Sequence, residues 1–233
     1  MIEPTFIQPN WPAPKNVNAF STLRQGGISA ENLQTNQRIL NISLKLPHEP
    51  IWLNQIHSNI AIPASEKVRY QEADASYTDQ SHTVCAVLTA DCLPILLCNR
   101  QGSYVAAIHA GWRGLQKQII DRTLDKIPCD PKDLMAWLGP AIGPKHFEVG
   151  DEVRDLFITM DKDLMSAFTN SINHRWLCDL YAIARLQLKK RLITQIYGGD
   201  YCTYSDPNKF YSYRRDGAKT GRMASLIWIN SSL

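Results

Sequence analysis

Along this chain the spacing of apolar and polar positions changes repeatedly, and each change predicts an element. "VNAFSTL" (17–23) alternates as a strand does, and "RQGGIS" (24–29) turns the chain. "PIWLNQIHSNIAIP" (50–63) is extended, bounded by prolines, and carries a polar Asn54-Gln55-x-His57 island inside apolar flanks. The centre is densest. "TVCAVLTADCLPILLCN" (83–99) predicts a buried strand, a break at Thr89–Asp91 and a second apolar strand, and "SYVAAIH" (103–109) returns as a third. "LQKQIIDRTLDKI" (115–127) places Leu115, Ile119, Ile120, Leu124 and Ile127 near one face of one amphipathic helix. "LMAWLGPAIG" (134–143) reads as a strand broken by Gly-Pro. "GDEVRDLFITM" (150–160) reads as a helix with Asp151 as N-cap, and "DLYAIARLQLKKRLI" (179–193) as a helix starting at Asp179. "TQIYGGDYCTYS" (194–205) and "MASLIWIN" (223–230) are further strands. Helices interspersed without regular βαβ alternation predict a mixed sheet with flanking helices, an α+β or α/β sandwich, in a single domain over 1–233.

Composition narrows the function classes. With 233 residues, 44% hydrophobic and 20% charged, the chain has enough core to fold without metal or disulfides. The net charge is +3 and the basic residues are dispersed, so no nucleic-acid footprint emerges; "KKRLI" (189–193) reads as a solvated helix end. The proline-rich, acidic N-terminus lacks a signal-peptide core, and no run approaches the roughly 18 apolar residues of a membrane span. The six cysteines show no CxxC pairing and sit in apolar surroundings, as reduced cytoplasmic cysteines do.

Three polar groups interrupt the apolar runs near strand ends: His57, Cys92 and His109. Their spacings of 35 and 17 residues match no zinc-finger pattern. Read singly, they are a satisfied core histidine, an inert cysteine and a loop histidine. Read together, two imidazoles and a thiolate make a three-donor zinc set with a fourth position open. Gln55 and Asp91 are their polar company. "HAGWRG" (109–114) brings backbone close through Gly111 and Gly114 and sets Arg113 before a helix start, which suits an anion; an ordinary strand–helix connection reads equally well. A C-terminal basic cluster, "YSYRRDGAKTGR" (211–222), offers Arg214, Arg215 and Arg222, with Tyr204, Phe210, Tyr211 and Tyr213 as stacking candidates, against a solvated hairpin loop. Arg24 is a further anion candidate. Cys85 and Cys98 are expected in the core.

Taken in order, "RQGGIS", "WLNQIHS", "ADASYT", "TVCAVLTADCLPILLCNRQG", "AAIHAGWRGL", "AWLGPAIGPKHFEVGDEVR", "GGDYCTYS" and "FYSYRRDGAKTGRMASLIWI" resemble the YfiH family, once described as polyphenol oxidases (laccases) and now as purine nucleoside phosphorylases. The bacterial branch is most similar. The resemblance implies a layered α+β fold and a zinc held by His57, Cys92 and His109. It also implies phosphorolysis of adenosine, inosine, guanosine and methylthioadenosine, deamination of adenosine, and purine nucleosides and phosphate as partners. Arg24, Gln55, Asp91, Arg113, Arg214 and Arg215 are the expected substrate contacts. A second class is a cysteine hydrolase editing peptidoglycan precursors, with Cys92 as nucleophile. Six histidines are too few for a multicopper laccase. Relatives carry a longer loop after "GGIS", where "SAENLQTNQRILN" (29–41) is short.

Overall fold

The computed structural model describes residues 5–28, 40, 42, 45–172 and 174–231, so the short connection expected at 29–39 lies outside the described residues. The strands are β1 (Phe6–Ile7), β2 (Val17–Thr22), β3 (Ala61–Pro63), β4 (Ala75–Thr78), β5 (Cys85–Thr89), β6 (Leu93–Asn99) and β7 (Val105–Ala110). They continue with β8 (Leu134–Leu138), β9 (Glu148–Val149), β10 (Phe168–Asn170), β11 (Trp176–Cys178), β12 (Gln195–Gly198) and β13 (Met223–Ile229). The helices are α1 (Trp112–Gln116), α2 (Ile119–Leu124), α3 (Asp151–Met160), α4 (Leu180–Lys190) and α5 (Tyr213–Asp216).

A six-stranded mixed sheet, ordered β12-β8-β6-β7-β4-β3, is the backbone of the fold. Side-chain alternation gives its two faces separate partners. From β6 and β7, Leu93, Ile95, Leu97, Ala106, Ile108 and Ala110 pack with Leu115, Ile119, Ile120, Ile183 and Leu188 of the helices. The intervening Leu96, Cys98, Val105 and Ala107 pack with Ala19, Cys85, Val87, Ile227 and Ile229 of a four-stranded antiparallel sheet, ordered β1-β2-β13-β5. The outer face of that second sheet, carrying Ala86, Ala224, Leu226 and Trp228, is covered by Trp52, Leu40 and Ile28. The expected α+β layers are therefore present. A third small sheet, β10-β11-β9, flanks them.

Two local expectations need correction. The stretch 115–127 is not one helix: Gln118 takes φ 65 and separates α1 from α2. The break leaves Leu115 O to accept from Gln118 N and from the buried Gln187 Nε2 of α4 at 3.0 Å, so packing against α4 compensates the interrupted ladder. The N-cap of α3 is Gly150 rather than Asp151, which stands one residue inside and gives its carboxylate to Trp176 Nε1 at 2.6 Å. Asp179 does cap α4, accepting from Ala182 N at 3.0 Å. Among the described residues no helix is long and apolar enough to cross a membrane.

Candidate active site

Three chain segments meet at one end of the two large sheets. His109 is the fifth residue of β7 and has the parity of Val105 and Ala107, so it faces the second sheet rather than the helices. Cys92 follows β5 in the tight turn to β6, just after Asp91, which takes φ 84. His57 lies in the loop before β3 with φ 57. The metal-ligating atoms of His57, Cys92 and His109 all lie within 4.8 Å of one another. Cys92 Sγ is 3.8 Å from His57 Nε2, and the two imidazoles stand edge to face at 4.8 Å. The close approach depends on Gly111. A Cβ there would sit 2.8 Å from Cys92 Sγ and 3.3 Å from His57 Cδ2.

Asp74 organises this cluster, and sequence reasoning missed it. The side chain is fully buried at the head of β4. Its Oδ1 accepts from His57 N at 3.0 Å and His109 Nδ1 at 2.7 Å; its Oδ2 accepts from Ile56 N at 3.3 Å and from Ser58 N and Oγ, both at 2.6 Å. Burial alone would raise its pKa, but the hydrogen bonds from His109 and Ser58 outweigh burial and hold the carboxyl at about 2. An ionised Asp74 accepts the hydrogen bond of His109 Nδ1–H, which holds the proton on Nδ1 and leaves Nε2 as the donor atom toward the cavity. The signal was a lone acid between two alanines in "ADAS", at the head of a strand too short to show periodicity.

Electrostatics set Cys92 apart. Burial pushes Cys92 up, but His109 and His57 more than reverse this and bring the thiol down to about 6. His109 moves the other way: burial lowers it, and Cys92 and Asp74 raise it to about 9. Cys85 and Cys98 are buried core thiols, each pushed up to about 12 by burial, as expected of core positions. All six cysteines are free.

The cluster opens into a cavity of about 760 Å³. Gln55 and Asp91 line it, yet both are engaged. Gln55 donates to Leu88 O at 2.8 Å and accepts from Leu88 N at 2.7 Å, pinning the His57 loop to β5. Asp91 accepts from Thr203 Oγ1 at 2.5 Å, Ser212 Oγ at 3.0 Å and Arg214 N at 2.7 Å. Arg113 is the second residue of α1 rather than preceding the helix, and its guanidinium lies 4.4 Å over the Trp112 ring on the cavity wall. Arg214 lines the cavity but donates both terminal nitrogens to Glu148 O at 3.1 Å. Arg215 donates to the carbonyls of Thr203, Tyr204 and Phe210, and Arg24 stacks on Tyr211 and pairs with Asp216 at 3.5 Å; neither lines the cavity. Arg222 lines it with Nη1 bonded to Thr220 O and Gly221 O. The aromatic wall is Trp112, Phe147 and Tyr213, so of the four C-terminal aromatics only Tyr213 reaches it.

Three donors with a buried carboxylate behind one imidazole fit a zinc site: each offers one atom, the thiol is acidified, and the spacings approach those around a tetrahedral ion with bonds of about 2.0–2.3 Å.

Comparison with known proteins adds the lineage. Residues 18–230 match the family model described as multi-copper polyphenol oxidoreductase laccase. The chain is 44% identical over 242 residues to the Escherichia coli K12 protein named purine nucleoside phosphorylase YfiH, covering 96% of this chain and 98% of that one. A Haemophilus influenzae protein named purine nucleoside phosphorylase is 44% identical over 240 residues, covering 95% and 98%. A crystal structure from Neisseria meningitidis superposes with a TM-score of 0.92 at 42% identity, covering 98% of this chain and all of that one. The chain belongs to the YfiH family.

Proposed function

We propose that this protein is a zinc-dependent purine nucleoside enzyme of the cytoplasm. It cleaves adenosine, inosine, guanosine and methylthioadenosine with inorganic phosphate, and deaminates adenosine. The observation that carries the reading is the His57–Cys92–His109 cluster at the wall of a nucleoside-sized cavity that also holds Arg113. Names of relatives support phosphorolysis. Six unpaired cysteines suit a reducing compartment.

His57, Cys92 and His109 would hold the zinc, which when bound supplies Lewis-acid activation of an oxygen. Asp74 keeps the Nδ1 proton of His109 in place, so the ring presents the right nitrogen without a tautomer change. The Arg113 guanidinium makes no ion pair or hydrogen bond among the described residues and is available to hold phosphate. In phosphorolysis a phosphate oxygen bonds to ribose C1′ as the C1′–N9 bond breaks, and the purine leaves with the electron pair and gains a proton. In deamination water adds at C6 and ammonia leaves. Trp112, Phe147 and Tyr213 offer flat surfaces to the purine.

A second reading, a cysteine hydrolase acting on peptidoglycan precursors, is favoured by the acidified Cys92 beside His109. A copper polyphenol oxidase is weaker, because the described residues offer one three-donor group where such an enzyme needs several imidazole-rich sites. Incubating metal-verified protein with adenosine, with and without phosphate, tests the proposal. Adenine plus ribose 1-phosphate and phosphate-independent inosine support it; no change in adenosine under either condition overturns it.

A further inference from the structure

Among the described residues seven buried side-chain polar atoms meet no hydrogen-bond partner. Only two, Thr89 Oγ1 and Thr220 Oγ1, belong to residues that line the main cavity. Thr89 ends β5 and pairs with Met223 at the start of β13; Thr220 lies three residues before Met223. Thr89 and Thr220 are 1% and 5% exposed. Two unpaired hydroxyls thus sit on adjoining segments of one wall, three residues along the chain from Cys92 at the nearer one.

A buried hydroxyl left without a partner is destabilising, so its persistence calls for a partner that arrives later. The amide and the carboxylate of the wall are already engaged: both ends of the Gln55 amide by Leu88, and the Asp91 carboxylate by Thr203, Ser212 and Arg214. A threonine hydroxyl takes a new direction by one χ1 step between staggered positions, so a buried hydroxyl on a cavity-lining residue can turn to meet a ligand. A hydroxyl both donates and accepts, and so does each hydroxyl of a ribose. A purine edge has fixed donors and acceptors, better matched by amide or carboxylate groups that this wall has already committed.

We infer that Thr89 and Thr220 are the specificity-determining residues for the ribose moiety, hydrogen-bonding its 2′- and 3′-hydroxyls when a nucleoside occupies the cavity. This rests on the nucleoside reading above. It adds discrimination between ribo- and deoxyribonucleosides.

The test is calorimetric binding to zinc-loaded protein without phosphate, using inosine, 2′-deoxyinosine and 3′-deoxyinosine. Wild type is compared with Thr89→Val, Thr220→Val and the corresponding serine variants. Each valine variant should bind inosine about 3–10-fold more weakly, the worth of one neutral hydrogen bond. Each should show no further loss for the one deoxy ligand that lacks its partner hydroxyl, while serine restores the wild-type pattern. Wild-type protein that binds inosine and both deoxy ligands equally overturns the inference, whether or not the valine variants fold. So do valine variants that weaken all three ligands alike. Wild-type protein that binds none of the three overturns the nucleoside reading itself, and the two failures are thereby distinct.

Discussion

Replacing Asp74 by Asn removes one charge and no volume, and the structure specifies what breaks. The carboxylate accepts five hydrogen bonds and donates none. An amide has one acceptor and one donor end. With its oxygen toward His109, its NH₂ confronts the Ser58 and Ile56 amides, which also donate. Flipped, its NH₂ meets His109 Nδ1 and forces the proton to Nε2, the nitrogen needed for a metal. Either orientation forfeits at least two charge-assisted hydrogen bonds, each worth about 1.5–3 kcal/mol, so a stability loss of about 3–6 kcal/mol is expected. The acidity of Asp74 gives a related bound. A pKa of about 2 in the fold against the ordinary 3.8 corresponds to roughly 2–3 kcal/mol. Because the folded value is depressed, that contribution is complete above about pH 4 and fades as pH falls through about 2. Zinc affinity should drop about 10–100-fold, the usual effect of disturbing a ligand's hydrogen-bond partner. Thermal unfolding of metal-free protein and competition with a chromogenic chelator at neutral pH read both effects. An Asp74→Asn protein whose melting point and zinc affinity match wild type would refute the reasoning.

Other changes probe neighbouring contacts. Gly111→Ala, with its Cβ 2.8 Å from Cys92 Sγ, should lower zinc affinity at least about tenfold while far-ultraviolet circular dichroism stays native. Arg113→Ala should raise the KM for phosphate by about tenfold or more, the loss of a charged contact, and leave adenosine deamination within about twofold; equal losses would assign Arg113 to structure instead. Cys92→Ala should lose zinc and turnover yet remain folded, whereas a variant that keeps its zinc and loses all turnover would favour covalent catalysis. In metal-free native protein iodoacetamide should label Cys92 well ahead of Cys85 and Cys98, and added zinc should protect it, as peptide mapping would show.

Long apolar runs were legible because burial on both faces leaves little choice of period. Leu93–Asn99 and Val105–Ala110 are wholly buried strands, read directly from "LPILLCN" and "VAAIHA". Short elements were not. β4 has four residues and β9 two, too few to show alternation, and Asp74 hid with the first of them. The break at Gln118 escaped because apolar spacing across 115–127 is helical; the compensating contact comes from Gln187, far along the chain. At the site, the residue types and their strand-end context brought His57, Cys92 and His109 forward. Which polar residues were already spoken for was invisible, since the partners of Asp91 and Arg215 come from hydrogen bonds that only the fold creates.

The Asp91 carboxylate bonds partners 112, 121 and 123 residues further along the chain while its own backbone sets the turn that presents Cys92. This limits how the protein can be recombined. The 200–216 segment, which brings Tyr213 and Arg214 to the cavity, is not an exchangeable cassette: transplanted from a relative without a matching Thr203 and Ser212, it would leave the buried Asp91 carboxylate with only the backbone N–H of residue 214 as partner, beside Cys92. Substrate-facing loop and metal-facing turn are inherited together, and libraries that diversify this rim should hold those three positions fixed.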